Sequence, residues 1–185
     1  MRPFHGLILQ TERLRLRPFE PRDAAALFGI FSDPVVMRYW SSPAWTSPDE
    51  ATAYITSESD AMRAEIQISL AITLRATDEV IGTCTLFDFM EQCRRAEVGY
   101  SLASAAWGKR YMHEALTALL DYGFVELDLN RVEADIDPRN ARSARSLERL
   151  GFKREGLLRE RWIVSGEISD TALYGLLRSE WSPRT

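Results

Sequence analysis

The chain has 185 residues, of which 45% are hydrophobic and 27% charged, and this composition suits a single globular domain spanning residues 1–185. Its net charge of -4 argues against general nucleic-acid binding, although a local basic patch can still bind an anion. The sequence shows neither a signal-peptide pattern nor a run of about 18 apolar residues, so we expect a soluble cytoplasmic protein without a membrane partner.

Alternating and helical patterns predict the elements of the first half of the chain. Leu14 and Leu16 alternate with arginines in a half-buried strand that ends at Pro18. Ser47-Pro48-Asp49-Glu50 has the form of a capping box with proline in the first helical turn. The predicted elements are strands at 13–17, 66–74, 80–89 and 95–102 and helices at 23–31 and 48–63. In the strand at 95–102, Glu97 faces the polar side.

The second half begins with a loop that turns into a helix at residues 107–112. From Met112, apolar residues recur at helical spacing as far as Leu127. The start of such a helix has backbone N–H groups without helical partners and the positive end of the helix dipole, so it suits an anion such as a pyrophosphate. The alternative is an ordinary packed helix after a glycine turn.

The remaining pattern is a strand, a helix and a closing hairpin. Asn140 is well suited to cap the helix and Gly151 to end it. The predicted elements are strands at 131–137, 152–164 and 168–177 and a helix from 140 to 150. A strand, a helix and a strand in series suggest a parallel crossover. The whole pattern therefore predicts an α/β (α+β) fold with a mixed, mostly antiparallel sheet.

Two of the predicted helix starts carry a cluster of basic residues. They follow the strands at 95–102 and 131–137, and ligands of such sheets lie beyond the carboxyl ends of the strands, so both starts point at one crevice. The cluster consists of Lys109, Arg110, Arg139, Arg142, Arg145 and Arg149. The alternative is that these side chains only form solvated helix faces.

Cys84 and Cys93 lie in one hairpin region without metal-ligand spacing or histidine partners. Free thiols are therefore expected rather than a disulfide, and we expect no metal site. Neither cysteine has a placed histidine, and no Gly-x-Ser-x-Gly motif is present, so the sequence contains no sign of a covalent nucleophile.

Four segments, taken in chain order, carry a family resemblance. They are residues 13–18 with Asp23 and Asp33-Pro34, residues 96–100 with the sequence AEVGY, residues 107–116 from Trp107-Gly108-Lys109 to Glu114-Ala115-Leu116, and residues 140–152 from Asn140 to Leu150-Gly151-Phe152. In this order they resemble the GNAT superfamily of N-acetyltransferases, and most closely the RimJ/RimL-like branch that acetylates the amino termini of ribosomal proteins. The resemblance covers nearly the whole chain.

The resemblance implies a single GNAT-like domain with splayed central strands, flanking helices and acetyl-CoA as cosubstrate. The backbone amides of the loop would hold the pyrophosphate, and the strand-end backbone of Leu102 and Ala103 could pair with the pantetheine amides. The implied pyrophosphate contacts are Gly108, Lys109, Arg110, Tyr111 and Met112. Asn140 and Ser143 match the polar start of the family's later helix.

One position departs from the family pattern. The family's pyrophosphate loop usually has Gln or Arg first and Gly or Ala last, whereas this chain has Ala105 first and Arg110 last. A small last residue lets the backbone approach the phosphates closely. Arg110 can keep the amide contact only if its side chain points away, and its guanidinium could then add a charge-assisted contact to a phosphate.

The implied reaction is direct acetyl transfer from acetyl-CoA to a primary amine, which needs a base because alkyl amines titrate near about 10. Glu97 is the first choice for this base, since burial could raise its pKa toward the operating range. The alternative is a surface carboxylate paired with Arg95. Ser143 would donate a hydrogen bond to the departing thiolate, Tyr111 is a weaker candidate for an acid, and Tyr100 and Tyr174 are assigned to the core.

The sequence does not identify the acceptor amine. Trp40, Trp45, Phe87 and Phe89 could shape its site, or could equally belong to the core. A peptide or protein amino terminus, a small amine such as an amino acid, polyamine or antibiotic, and an inactive CoA-binding or protein-interaction domain remain alternatives. Either a monomer or a homodimer is compatible with the sequence, because the closing hairpin is exposed.

Overall fold

One eight-stranded sheet runs through the protein, which we describe over residues 4–182 of a computed structural model. Its spatial order is β1-β2-β3-β4-β5-β6-β8-β7, and β5–β6 is the single parallel pair between neighbouring strands in this sheet. The strands are β1 (Leu9–Gln10), β2 (Leu14–Arg17), β3 (Ile68–Leu74), β4 (Val80–Met90), β5 (Arg95–Leu102), β6 (Arg131–Ile136), β7 (Lys153–Val164) and β8 (Glu167–Leu177). The predicted mixed, mostly antiparallel sheet is confirmed, as is the parallel crossover.

Five α-helices accompany the sheet within residues 4–182. They are α1 (Ala24–Phe31), α2 (Pro34–Met37), α3 (Pro48–Arg63), α4 (Tyr111–Asp121) and α5 (Ala141–Leu150). The helix predicted to reach Leu127 ends as an α-helix at Asp121 and continues as a π-helical turn over Tyr122–Glu126. The pattern also missed β1, because two residues are too short to show a strand period.

The helix boundaries follow from local capping chemistry. Ser47 accepts the N–H of Asp49 at 3.2 Å, and the Glu50 carboxylate accepts the N–H of Ser47 at 2.9 Å, which completes the capping box of α3. Asn140 caps α5 by accepting the N–H of Ser143 at 3.1 Å. Gly151 ends that helix with φ 99°, a left-handed conformation that glycine adopts without a steric penalty.

Alternation along the strands divides the apolar residues between the two faces of the sheet. Ile68, Leu70 and Ile72 belong to the main core together with residues of α4. Ala71, on the opposite face of the same strand, packs in a second cluster with residues of α1 and α3. Beyond this second cluster the face becomes polar on β4 and β5, so helices α1 to α3 lie over a face that is apolar at one end and polar at the other.

The central strands separate partway along their length. β5 and β6 pair at Arg95↔Arg131, Ala96↔Val132 and Glu97↔Glu133, and the ladder stops there. Each strand continues on its other side, β5 against β4 and β6 against β8. The splayed central strands that the resemblance implied are therefore present, and the gap begins at Glu97.

A buried ion pair fixes the entry of the chain into α1. Arg17 donates to both carboxylate oxygens of Asp23, at 2.7 and 2.9 Å, and the two residues are 2% and 3% exposed. The Asp23 carboxylate also accepts the N–H of Glu20 at 2.8 Å. This bidentate geometry satisfies both charges in a region that water does not reach.

Replacing Asp23 with Asn should lower the free energy of unfolding by about 3–5 kcal/mol, because Arg17 would lose its buried bidentate partner and keep only the longer contacts to Asp78 at 3.5 Å and Glu20 at 3.7 Å. Urea denaturation measures this change. Asp60→Asn is the matched control, because its partner Arg63 is an exposed surface residue and the loss should stay below about 0.5 kcal/mol. Equal losses in the two variants would contradict a special role for the buried pair.

Candidate active site

A cavity of about 300 Å³ opens where β5 and β6 separate. Its floor is the polar face of the sheet, and its walls come from the segment 39–41 after α2, from α3, from the start of α5 and from the closing hairpin. This one cavity is lined by three residues that the sequence predicted separately as parts of the site: Glu97, Asn140 and Ser143. The structure therefore brings the candidate base and the polar helix start together, as the predicted crevice requires.

Glu97 lies half-buried at the point where the gap begins, and its side chain forms no hydrogen bond or ion pair among residues 4–182. Burial, together with the nearby carboxylates of Asp135, Asp88 and Glu133, raises its pKa to about 7, while Arg95 acts in the opposite direction. The alternative in which Arg95 pairs with Glu97 is not observed, because the Arg95 guanidinium bonds to Glu133. Glu97 can therefore take up and release a proton near neutral pH.

Ser143 lies in the first turn of α5, and its hydroxyl is 2.6 Å from the hydroxyl of Tyr100 on β5. Tyr100, which the sequence assigns to the core, packs against the main core and also lines the cavity. Burial raises its pKa to about 12, so the phenol stays protonated and can donate to Ser143. The hydroxyl hydrogen of Ser143 is then available to a third group.

The loop before α4 has two left-handed residues, Gly108 with φ 78° and Arg110 with φ 63°. The first helical hydrogen bond runs from the N–H of Glu114 to the carbonyl of Arg110 at 3.2 Å, so the amides of Tyr111 and Met112 have no helical acceptor. No atom lies within 4 Å of the position a Cβ would take at Gly108. Left-handed residues ahead of a helix turn successive amides toward one side, which is the arrangement that binds anions.

Arg13 and Glu114 hold this loop in place. The Arg13 guanidinium donates to the Lys109 carbonyl at 3.1 Å and to the Glu114 carboxylate at 2.7 Å, and it lies 4.6 Å from the centre of the Tyr111 ring. No local sequence pattern marks either residue as part of the site, because 101 positions separate them. The Arg13 stack also leaves Tyr111 outside the cavity lining, away from the role of an acid.

The end of β5 offers backbone groups on the side of the gap. Ala103 donates its N–H to Ile81 on the other side at 2.8 Å, and the Leu102 carbonyl accepts the indole N–H of Trp107 at 2.8 Å. Since backbone groups alternate in direction along a strand, Tyr100 and Leu102 face the gap and Ala103 faces β4. A ligand pairing with this strand would therefore use Tyr100 and the Leu102 N–H rather than the Ala103 amide.

The basic cluster is smaller than the sequence suggested. Arg139 is tied to Asp137 at 2.6 Å and to Glu167 at 2.7 Å, which removes it from the cluster. Arg142 lies 4.5 Å from the centre of the Trp107 ring and so joins the start of α5 to the loop. Lys109 and Arg110 are exposed and form none of the ion pairs found in residues 4–182. Two free cations thus flank the amides at the start of α4.

The aromatic residues considered for the acceptor site separate into two groups. Trp40 and Phe87 line the cavity. Trp45 packs on Phe31 with ring centres 4.6 Å apart, and Phe89 packs on Phe4 at 5.8 Å, so these two are core residues and not part of the site.

Neither cysteine is placed for catalysis. Cys84 is a buried thiol whose pKa is raised by burial, and Cys93 is an exposed thiol outside the cavity lining. Within residues 4–182 there is no group of three or more His, Cys, Asp or Glu side chains able to hold a metal ion. The same residues include no helix long and apolar enough to span a membrane.

Comparison with known proteins gives one consistent result. Residues 13–153 match the family described as "Acetyltransferase (GNAT) domain". The chain is 38% identical to "Uncharacterized N-acetyltransferase p20" of Bacillus licheniformis over 94% of its own length and 98% of that protein. It is 33% identical to the ribosomal protein uS5-alanine N-acetyltransferase of Escherichia coli over 57% of its length and 55% of that protein. A GNAT-family acetyltransferase structure from Bacillus anthracis superposes with a TM-score of 0.84 at 26% identity, covering 94% of this chain and 100% of that one.

Proposed function

This chain belongs to the GNAT acetyltransferase family, and from that premise we propose that it transfers the acetyl group of acetyl-CoA directly to a primary amine, with Glu97 as base. The observation that carries the proposal is that Glu97 and Ser143 line one cavity at the point where β5 and β6 separate. A base and a hydroxyl donor around one cleft are what attack by an amine on a thioester requires.

The residues around the gap fit the cosubstrate. The amides of Gly108, Tyr111 and Met112 and the cations of Lys109 and Arg110 suit a diphosphate, with the open space at Gly108 allowing close approach. The proposed pyrophosphate contacts are Gly108, Lys109, Arg110, Tyr111 and Met112, and Asn140 and Ser143 would contact the acyl end. When bound, acetyl-CoA supplies the thioester carbonyl that the amine attacks.

Glu97 would deprotonate the acceptor. An alkyl ammonium with a pKa near about 10 holds its proton at neutral pH and cannot attack until it loses it. A carboxylate whose pKa has been raised to about 7 accepts that proton more readily than an ordinary glutamate, yet remains partly ionised at neutral pH. Glu97 then releases this proton to bulk solvent, and the second proton, which the nitrogen loses as the amide forms, goes to the departing thiolate, so that CoA leaves as the thiol.

Ser143 would stabilise the departing sulfur. Tyr100 has its phenol held protonated and 2.6 Å from the Ser143 hydroxyl, so it donates to Ser143 and orients that hydroxyl outward. A CoA thiol resembles cysteine in acidity, with a pKa of about 8.5, so a single hydrogen bond to its thiolate suffices. Tyr100 is a positioning residue in this arrangement, because it acts through Ser143.

Two kinds of acceptor are compatible with the site, and one alternative concerns the activity itself. The Escherichia coli relative is named for a ribosomal protein alanine, which favours a protein amino terminus as the acceptor. A small amine is the other candidate, and the acidic residues that line the cavity favour it. A domain that binds CoA without catalysis is the third alternative, and the non-glycine residue at Arg110 motivates it.

Titration calorimetry should detect acetyl-CoA binding that weakens as salt is added, because Lys109 and Arg110 attract the diphosphate by charge. Arg110→Glu should weaken the binding roughly ten-fold or more, whereas Arg63→Glu, on the exposed end of α3, should leave it unchanged. Absence of binding at millimolar acetyl-CoA would remove the enzyme interpretation. Binding without thiol release from any amine would support the inactive domain.

Glu97→Gln should lower kcat/KM by roughly 100-fold at pH 8, because the amide cannot take the ammonium proton. The wild-type rate should rise with pH through an apparent pKa of about 7, the pH at which Glu97 becomes ionised. The variant should lack this rising limb and should bind acetyl-CoA with unchanged affinity. A pH–rate profile measured by free-thiol release tests this, and an unchanged limb would move the role of base to another residue.

Ser143→Ala and Tyr100→Phe should each lower kcat while leaving the KM for acetyl-CoA within about two-fold. Because Tyr100 acts through Ser143, the double variant should be no slower than Ser143→Ala alone. Tyr174→Phe serves as the control, since this buried tyrosine is near Tyr100 but does not bond to Ser143. Additive losses in the double variant would show that the two hydroxyls act independently.

A further inference from the structure

The charged residues that line the active-site cavity are all acidic. Glu58, Glu97, Asp135 and Asp137 contribute carboxylates to the wall, and within the described chain no lysine, arginine or histidine lines it. Asp137 has its own cation, since Arg139 binds it at 2.6 Å from outside the cavity. The other three carboxylates form no ion pair within residues 4–182. A monoamine acceptor brings one positive charge, which is fewer than these groups can balance.

Glu58 is the carboxylate that the acetyl-transfer step leaves without a role. It projects from α3, is half-buried, and accepts a hydrogen bond from the Gln67 side-chain amide at 2.6 Å. Burial raises its pKa, and the hydrogen bonds from Ser69 and Gln67 oppose this only in part. A half-buried carboxylate that has only neutral hydrogen-bond donors and no ion-pair partner is electrostatically unfavourable in its charged form. A bound cation would stabilise that form.

The strand register places an aromatic ring between the two glutamates. Phe87 pairs with Glu97 across β4 and β5, and Ile68 pairs with Leu86 across β3 and β4, so Gln67 is the neighbour of Phe87 on its other side. Gln67, Phe87 and Glu97 thus form one row across the polar face, about 10 Å long because strands lie about 4.8 Å apart. Glu58 is bonded to the Gln67 end of this row.

Aromatic rings cover the same space. Tyr54, Phe87, Trp40 and Trp162 all line the cavity together with the carboxylates. The faces of such rings attract ammonium groups, and their apolar bodies accommodate the methylene chain that joins two ammonium groups. The wall therefore combines the two features that recognise an alkyl dication.

We propose that the acceptor is a short linear amine with a second ammonium group, which lies across Phe87 with one end at Glu97 and the other at Glu58. This inference rests on the proposed acetyl transfer and names its substrate class. The amine at Glu97 loses a proton and takes the acetyl group, while the ammonium at Glu58 keeps its proton and positions the chain. Asp135 adds negative charge on the β6 side of the gap.

The test compares 1,4-diaminobutane with 1-aminobutane, using thiol release from acetyl-CoA at pH 8 as the readout. Glu58→Gln should lower kcat/KM for the diamine at least ten-fold and change it less than two-fold for the monoamine. Glu58→Asp keeps the charge and should retain the preference for the diamine. Asp60→Asn removes a carboxylate from the exposed face of the same helix and should change neither rate.

The outcomes separate this inference from the function on which it rests. If Glu58→Gln releases thiol with both amines and changes kcat/KM by the same factor for each, the dication proposal is overturned and the acetyl-transfer proposal stands. A neutral peptide such as Ala-Gly-Gly acetylated with a higher kcat/KM than the diamine would also overturn it and would favour the amino-terminal acceptor. No thiol release with any of the three would overturn the acetyl-transfer proposal itself.

Discussion

The separation of β5 from β6 after Glu97 is the constraint on which the site depends. Each strand keeps its hydrogen-bonded partner on the other side: β5 pairs with β4 from Glu97 to Leu102, and β6 pairs with β8 from Arg131 to Ile136. The gap therefore removes only the few hydrogen bonds that would join the ends of β5 and β6. At about 1 kcal/mol net for each backbone bond, that loss is small compared with the stability of an intact sheet. The Tyr100–Ser143 contact connects β5 with the first turn of α5.

The same register sets the chemistry of Glu97. Glu133 lies directly beside it across the last parallel pair, and both Arg95 and Arg131 bond to Glu133. With the local cations committed to Glu133, Glu97 faces the cavity beside Asp135, and burial and like charge act on its pKa in the same direction. The raised pKa is therefore a property of the ladder and the ion pairs beside it.

Local chemistry made much of this structure predictable. The Ser47 capping box, the Asn140 cap and the Gly151 stop depend on residues within one turn, and alternation alone placed Glu97 on the polar face. The same alternation did not predict the role of Tyr100. Its ring lies on the apolar face, as the pattern indicates, but its hydroxyl contacts Ser143, and strand periodicity predicts only the face on which a side chain lies.

Contacts between distant segments could not be predicted at all. Arg13 and Glu114 meet only because β2 and α4 are brought together by the sheet, and nothing within a few residues of either position signals the other. The same limit applies to Trp45 and Phe89. Aromatic residues suit a core and a ligand site equally well, so the sequence does not distinguish the two, whereas in the structure Trp40 and Phe87 line the cavity and Trp45 and Phe89 do not.

The acidity of the cavity bears on stability as well as on recognition. Half-buried carboxylates without cations weaken the folded state, because burial opposes their charge and each repels the next. Arg17 and Asp23 show that this chain can neutralise a buried charge completely when only stability is at stake. Glu58, Asp135 and Glu97 line one space without an ion pair of their own within residues 4–182, and for Asp135 and Glu97 the nearby charges of Arg161 and Arg95 offset burial only in part. A cationic ligand in this space would reduce the repulsion among the carboxylates, and this gain would contribute to its binding free energy.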